Sequence, residues 1–496
     1  MEKKTNNYLF KGETRSLCPE CKKVIPARIH EKENKLYLEK YCSEHGKSTG
    51  LMSSDAKWTE WSKSFNKPGE VPYYKTSKVT LGCPEDCGLC EDHEQHSCSV
   101  QVEITDRCDL KCYNCYMGPE NTWFLPKEKA EWMFERLVKM EGNPEIVQLT
   151  GGEPTLHPDL FEIARAAVNK NIKYVLINTN GNRIARDYEF VQKLADEGLY
   201  VYLQFDGFKK EIYEKMRGCD LLDIKLKALE NLEKAGVPTV LTPTIEYGIN
   251  DDQLGDIVEL ALSKSHIKSV SFQPISYVKK RDIDSSKWEY DKDACDPLNR
   301  ITMQDMIKGI AAQSDGLLSD TDFVPVPCHD PACGSVTYVV EGDEGFIPIT
   351  KILQVDNFLD YVKNKPRVDM DEVFQASRME LEKLWSMSAI GGTEKVLNGV
   401  RNLLTRCCGT DADTIDMFED KITQISIHHI MDPHNFDVNR SRKCCVHFML
   451  PNGKLMPFCN YNVIHRDKYR ASGMDKSLEG VELISTEEKK LTETIN

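Results

Sequence analysis

The chain has 496 residues, of which 40% are hydrophobic and 29% charged, a balance that supports a large core and argues against disorder. A formal net charge of -15 disfavours nucleic acid as the main partner, because phosphate binding needs a basic footprint. No segment offers a long uncharged apolar run, and Met1–Arg15 lacks the apolar core of a signal peptide. The expectation is a cytoplasmic protein without a transmembrane segment, with peripheral attachment to a membrane surface left open.

The 19 cysteines carry the most information. In a reducing compartment, clustered cysteines point to metal ligands or catalytic groups rather than disulfides. Four stand outside the main groups (Cys219, Cys295, Cys407 and Cys408) and read as small buried hydrophobes. The first group is Cys18-Pro-Glu-Cys21 and, after a predicted strand at Lys35–Leu38, Cys42-Ser-Glu-His45. Two facing knuckles supply a Cys3His set for one mononuclear metal, a zinc-ribbon or rubredoxin-like module over residues 1–70. Zinc is the first expectation and iron the alternative.

A second group follows at Cys83, Cys87, Cys90 and Cys98, expected to hold an auxiliary 4Fe–4S cluster over residues 71–99. Val100–Ile104 then alternates as a strand and leads into Cys108-Asp-Leu-Lys-Cys112-Tyr-Asn-Cys115. Three thiolates can hold three irons of a 4Fe–4S cube and leave the fourth open to an exogenous molecule. Lys127–Met140 reads as a helix, and the predicted strand Ile146–Thr150 ends in Gly151-Gly152-Glu153. Glycines there permit close backbone approach, and Glu153 is a charge-assisted acceptor.

Further strands are predicted at Tyr174–Asn178, Tyr200–Gln204, Thr239–Ile245 and Ser269–Gln273, with helices between them such as Asp223–Ala235 and Gln253–Ser263. Strand and helix alternate, which predicts a parallel α/β succession with chemistry at the carboxyl ends of the strands. Val201, Leu203 and Phe205 read as core. Beyond about residue 280 the pattern is less regular: Asp282–Trp288 is turn-like, Val368–Val400 has helical character, and the tail from Glu479 is expected to fray. Cysteines return at Cys328 and Cys333, then at Cys444, Cys445 and Cys459. Cys328, Cys333, Cys459 and one of Cys444 or Cys445 (Cys445 is the one chosen) are expected to hold a second auxiliary 4Fe–4S cluster in a domain spanning 291–496.

The strand, CxxxCxxC loop and GGE loop together resemble the radical S-adenosylmethionine (SAM) superfamily. One departure is Asn114, where that family usually has an aromatic before the last cysteine. The resemblance implies a partial (β/α)6 barrel over 100–290 and SAM chelated by the open iron at Cys108, Cys112 and Cys115. It further implies a SAM ammonium at Gly151, Gly152 and Glu153, with Asn180, Gln204, Asp206 and Gln273 as candidates for the ribose, carboxylate or adenine. Capping of strands or helices is the alternative role for those four.

The knuckles, the GCPxxCGxC group, GGEPTLHPD and the carboxyl-terminal CCxHFxLPNG segment together resemble the tetraether lipid synthase subfamily, some of whose members are described as pterin methyltransferases. That resemblance implies three 4Fe–4S clusters, two of them auxiliary, and a low-potential electron donor such as a ferredoxin or flavodoxin. The expected reaction is hydrogen abstraction from terminal methyl carbons of archaeol-type isoprenoid lipid chains, followed by carbon–carbon coupling at the membrane surface. The alternatives are radical methylation of a pterin precursor, as in methanopterin-type biosynthesis, and an iron–sulfur electron carrier without catalysis.

Overall fold

The computed structural model describes residues 7–118, 122–278, 280–281, 288–289, 296–342, 345–351, 421–471 and 480–486. Cys295, Cys407, Cys408, the helical reading of Val368–Val400 and most of the Asp282–Trp288 turn lie outside the described residues. The amino-terminal module is an antiparallel sheet of β1 (Leu9–Leu17), β2 (Val24–Lys32), β3 (Lys35–Cys42) and β4 (Gly46–Ser53), in that order. The alternation first visible at Lys35–Leu38 runs through Cys42, with Leu36 and Leu38 buried. Buried Lys40 anchors the module to the far end of the chain, donating to the Ser16 hydroxyl at 3.0 Å and the Pro433 carbonyl at 2.5 Å.

After the two-residue β5 (Tyr74–Lys75), the main sheet begins with β6 (Ser99–Thr105). It continues through β7 (Ile146–Gly151), β8 (Tyr174–Thr179), β9 (Tyr200–Gln204), β10 (Thr239–Thr242), β11 (Thr244–Ile245) and β12 (Ile267–Pro274). From β6 to β10, and on to β12, neighbours in sequence pair parallel. Helices return the chain between strands: α1 (Lys127–Glu141), α2 (Leu160–Val168), α3 (Asn182–Arg186), α4 (Tyr188–Asp196), α5 (Lys210–Arg217), α6 (Leu222–Ala235) and α7 (Leu254–Leu262). Val100, Val102, Val147, Leu149, Val201 and Leu203 turn towards these helices and join one continuous core. Phe205 belongs to the same core, as its sequence context implied.

The carboxyl-terminal segment extends this sheet at both edges. Gly334–Gly342 pairs antiparallel with Ile422–His428, which in turn pairs parallel with β12. At the other edge Val446–Met449 pairs parallel with β6 and antiparallel with Leu455–Pro457. The tail expected to fray is held in part, because Ile484–Ser485 pairs with β5. No helix among the described residues is long and apolar enough to cross a membrane.

Candidate active site and metal centres

The residues that alternate with the core positions face a cavity of about 620 Å³. Period-two geometry puts Gln101, Gln148, Asn178, Tyr202, Ser271 and Gln273 on its wall, drawn from β6, β7, β8, β9 and β12. They are already linked to one another. Asn178 Nδ2 donates to Gln148 Oε1 at 2.8 Å and to Gln101 Oε1 at 3.2 Å. The Tyr202 hydroxyl donates to Ser271 Oγ at 2.8 Å and receives Gln273 Nε2 at 3.3 Å. Asn178 Oδ1 and Thr337 Oγ1 are buried on this wall without a hydrogen-bond partner.

Cys108, Cys112 and Cys115 line the carboxyl end of the same cavity, beside Gly151, Gly152 and Glu153. Burial pushes the Cys108 and Cys115 thiols up, and the neighbouring thiols add to the effect. A bound cation cluster would reverse that penalty, so three partly buried thiols on one loop suit the three-ligand cube. Asn114 donates to the Ser276 carbonyl at 2.9 Å and fixes the loop where the superfamily usually has an aromatic.

The two glycines are required by neighbouring backbone. A Cβ on Gly151 would stand 2.1 Å from the Thr105 carbonyl oxygen, and one on Gly152 would stand 2.1 Å from that of Arg107. Their close approach is to the end of β6 and the cysteine loop, where Gly152 N–H donates to Thr105 at 2.8 Å. Glu153 is buried and accepts four hydrogen bonds, from the Thr155 N–H and hydroxyl, the Thr179 hydroxyl and the Asn180 N–H. Burial outweighs those bonds and raises its pKa. Oε2 takes only the Asn180 N–H among these donors, which leaves that oxygen an acceptor position for a ligand cation.

The other SAM candidates are divided. Gln273 lines the cavity. Asn180 also borders it, but its side chain donates to Asp109 at 2.7 Å and so braces the cysteine loop. Gln204 lines the cavity between Lys225, which donates to its Oε1 at 2.7 Å, and Asp206. Asp206 is wholly buried in a two-pronged ion pair with Arg217, both contacts being 2.8 Å. It is thus a partner of Arg217 and not itself a cavity-lining ligand candidate.

Arg217 does line the cavity, and sequence reading missed it. Burial alone would lower its pKa, but the Asp206 carboxylate and the Cys112 thiol outweigh burial and hold it as a cation. Lys225 was missed too. It lies on α6 with no exposure, and burial lowers its pKa to about 8 despite the nearby Asp206 carboxylate.

The amino-terminal knuckles do meet. Cys18 Sγ and Cys42 Sγ stand 3.6 and 3.5 Å from His45 Nδ1, and Cys21 and Cys42 sulfurs are 3.9 Å apart. Bonds of about 2.3 Å to sulfur and about 2.0–2.1 Å to nitrogen give tetrahedral edges of roughly 3.8 and 3.6 Å. Backbone N–H groups and the His45 ring lower the Cys42 thiol to about 6, which favours the ligating thiolate.

The auxiliary cysteines regroup. Cys83, Cys87 and Cys90 surround one small cavity, where Asn460 Nδ2 donates to Cys87 Sγ at 2.9 Å. Cys98 lies instead with Cys328 and Cys445, all three donor atoms within 4.8 Å of one another. Cys333, Cys444 and Cys459 form a third neighbourhood, half-buried beside Arg440, whose Nε donates to Cys333 Sγ at 3.2 Å. The adjacent Cys444 and Cys445 therefore fall in different groups. Cys219, expected to be buried, is exposed.

Comparison with known proteins fits this geometry. The radical SAM superfamily profile matches residues 102–261, and that of the HMPTM N-terminal zinc ribbon domain matches 10–54. The chain is 33% identical over 488 residues to 7,8-dihydro-6-hydroxymethylpterin dimethyltransferase of Methanocaldococcus jannaschii, covering 92% of this chain and 94% of that one. A probable GTP 3',8-cyclase of Thermococcus kodakarensis is 34% identical over 171 residues, 33% of this chain and 52% of the relative. Streptococcus suis SuiB bound to precursor peptide SuiA superposes over 38% of this chain and 41% of its own, with 19% identity and a TM-score of 0.33, too low a likeness to carry argument. These matches overturn the lipid-coupling activity expected from motif resemblance, since the relative matched end to end is a pterin methyltransferase. The motifs that suggested it report the shared metal scaffold, and they do not distinguish reactions built on it. Matched at this identity along nearly the whole of both chains, the protein belongs to the radical SAM superfamily, in the family of the Methanocaldococcus pterin dimethyltransferase.

Proposed function

We propose that this chain is a radical SAM methyltransferase acting on a pterin precursor. The observation that carries the reading is the wall of amides and hydroxyls formed by Gln101, Gln148, Asn178, Tyr202, Ser271 and Gln273. A pteridine ring presents donors and acceptors around its edge and an aromatic face. A wall with two buried unpartnered oxygens, Asn178 Oδ1 and Thr337 Oγ1, matches that chemistry. Tyr174 and Tyr200, in edge contact at 5.4 Å between ring centroids, also border the cavity and offer aromatic surface.

In this reading the six successive parallel strands β6 to β10 and β12 serve as the partial barrel. Cys108, Cys112 and Cys115 would hold a 4Fe–4S cluster, which supplies reductive cleavage of SAM and the radical that follows. Glu153 receives the SAM ammonium on its free acceptor position, and Gln273 is available to the nucleoside. Arg217, pinned by Asp206, places a fixed positive charge beside the thiolates. Lys225 ties Gln204 to the Asn180 backbone and so keeps the ends of β8 and β9 in register with the cysteine loop. Cys83, Cys87 and Cys90, and separately Cys333, Cys444 and Cys459, would hold the two auxiliary clusters, with electrons arriving from a low-potential donor such as a ferredoxin or flavodoxin.

The test is direct. Reconstituted protein is incubated with SAM, dithionite and 7,8-dihydro-6-hydroxymethylpterin, and products are read by mass spectrometry. 5′-Deoxyadenosine together with methylated pterin supports the reading. 5′-Deoxyadenosine without pterin methylation refutes the substrate, and no SAM cleavage at all returns the chain to an electron carrier.

A further inference from the structure

Donor atoms of three or more cysteine, histidine or acidic side chains come within 4.8 Å of one another at two places among the described residues. One is the amino-terminal Cys3His module. The other is Cys98, Cys328 and Cys445, all three buried, at the edge of the main sheet where Val446–Met449 joins β6. We propose that Cys98, Cys328 and Cys445 form a second mononuclear metal centre of zinc type, distinct from every iron–sulfur cluster of the chain, and that His96, which touches Cys98 but stands outside the 4.8 Å group of three, swings in to complete it.

Spacing carries the argument. Cys328 and Cys445 sulfurs are 3.6 Å apart, and His96 Nε2 is 3.6 Å from Cys98 Sγ. Both values match the edges of about 3.8 and 3.6 Å that a tetrahedral ion with about 2.3 Å thiolate bonds requires. A 4Fe–4S cube binds each thiolate to a different corner iron and holds the sulfurs much farther apart. Cys108, Cys112 and Cys115, by contrast, do not crowd to within 4.8 Å.

The surroundings are built for a histidine ligand. His96 Nδ1 faces Glu141 Oε2 at 3.8 Å, and the Glu141 side chain is only 1% exposed. Glu141 is itself oriented by the Ser97 N–H at 3.3 Å and by the Ser97 hydroxyl. A carboxylate on the far nitrogen fixes which ring nitrogen is free to ligate, and this arrangement recurs behind metal-bound histidines. The backbone is prepared as well, since the Cys445 carbonyl accepts from the N–H groups of Cys98 at 2.8 Å and Ser99 at 3.2 Å. The centre would rivet the carboxyl-terminal strand to the first strand of the sheet.

The full-length protein, purified without oxygen and with no added metal, is assayed for zinc, iron and acid-labile sulfide. Metal unaccompanied by sulfide is expected at about two ions per chain, one for each tetrahedral site. The double variant Cys18→Ser/Cys42→Ser should keep about one of these. Cys98→Ser/Cys445→Ser should also lose about one, with labile sulfide unchanged. His96→Cys should retain the metal, and His329→Ala should leave it untouched. Loss of about four irons with four sulfides from the Cys98/Cys445 variant would show a cube there and overturn the proposal. So would a sulfide-free metal count near one in the unaltered chain, a measurement that does not depend on any variant folding.

Discussion

Replacing Glu153 with Gln keeps the shape of the side chain and removes its charge. A carboxylate only accepts, and in the native chain it takes the Thr155 N–H at 3.1 Å, the Thr155 and Thr179 hydroxyls at 2.7 Å each, and the Asn180 N–H at 2.8 Å. A carboxamide must present an NH2 group at one of the two oxygen positions. The hydroxyls can turn to accept from it, but a backbone N–H cannot. Whichever way the amide faces, either Thr155 N–H or Asn180 N–H is left pointing at a donor. The loss is one hydrogen bond to a charged group, about 1.5–3 kcal/mol. Equilibrium urea unfolding of wild type and Glu153→Gln, both prepared without oxygen, should show a deficit of that size, and calorimetry should show weaker SAM binding. A stability change within about 0.5 kcal/mol, the range of ordinary surface substitutions, would refute the account of a carboxylate that accepts one backbone N–H on each oxygen. Unchanged SAM affinity would remove Glu153 from the ligand site.

Three further perturbations address other parts of the molecule. Replacing Cys108, Cys112 and Cys115 together by Ala should abolish 5′-deoxyadenosine formation while iron analysis still finds the auxiliary clusters; residual SAM cleavage would misplace the catalytic loop. Gly152→Ala drives a methyl to 2.1 Å from the Arg107 carbonyl. It should cost about 1–3 kcal/mol in urea unfolding, whereas Gly342→Ala, whose nearest neighbour would be 3.4 Å away, should cost less. Arg300→Met strips the partner from Asp432, a wholly buried carboxylate 2.7 Å from the guanidinium, and should cost about 3–5 kcal/mol at neutral pH. Arg300 outweighs burial and holds Asp432 well below the usual carboxylate range, so the pair's contribution is present above about pH 3.9 and lost as pH falls through the lower folded value. The deficit of the variant should therefore shrink in acid; a deficit that grows would contradict the pairing.

The parallel strands were legible because each combines β-branched or aromatic residues with a polar end. Tyr200–Gln204 is placed as read, and Val100–Ile104 extends by one residue at each end. The cysteine and GGE loops were legible for the same reason, being short segments whose neighbours in sequence are their neighbours in space. Pairings across the chain were not. Cys98 follows Cys90 by a few residues and was grouped with it, yet it meets Cys328 and Cys445 through strand pairing at the sheet edge. Asp206 looked like a ligand because it follows a strand, but its partner Arg217 waits at the end of the next helix. Lys225 sits among apolar and charged residues on a helix and reads as a solvated base, whereas its stem is enclosed and its ammonium bridges two strand ends.

The pairing of Val446 with Ser99 spans 347 positions, from 99 to 446. A ribosome adding about 5–20 residues each second needs roughly 17–70 s to travel that distance. For all of that time the first strand of the sheet has one flank without its native neighbour, with its backbone donors and acceptors open to other chains. The sheet can grow outwards from β7 as each helix returns, but it cannot be closed on this flank until Val446–Met449 has emerged. Truncated products that end before Val446 should therefore stick to chaperones or to one another, and release should coincide with the emergence of Val446–Met449.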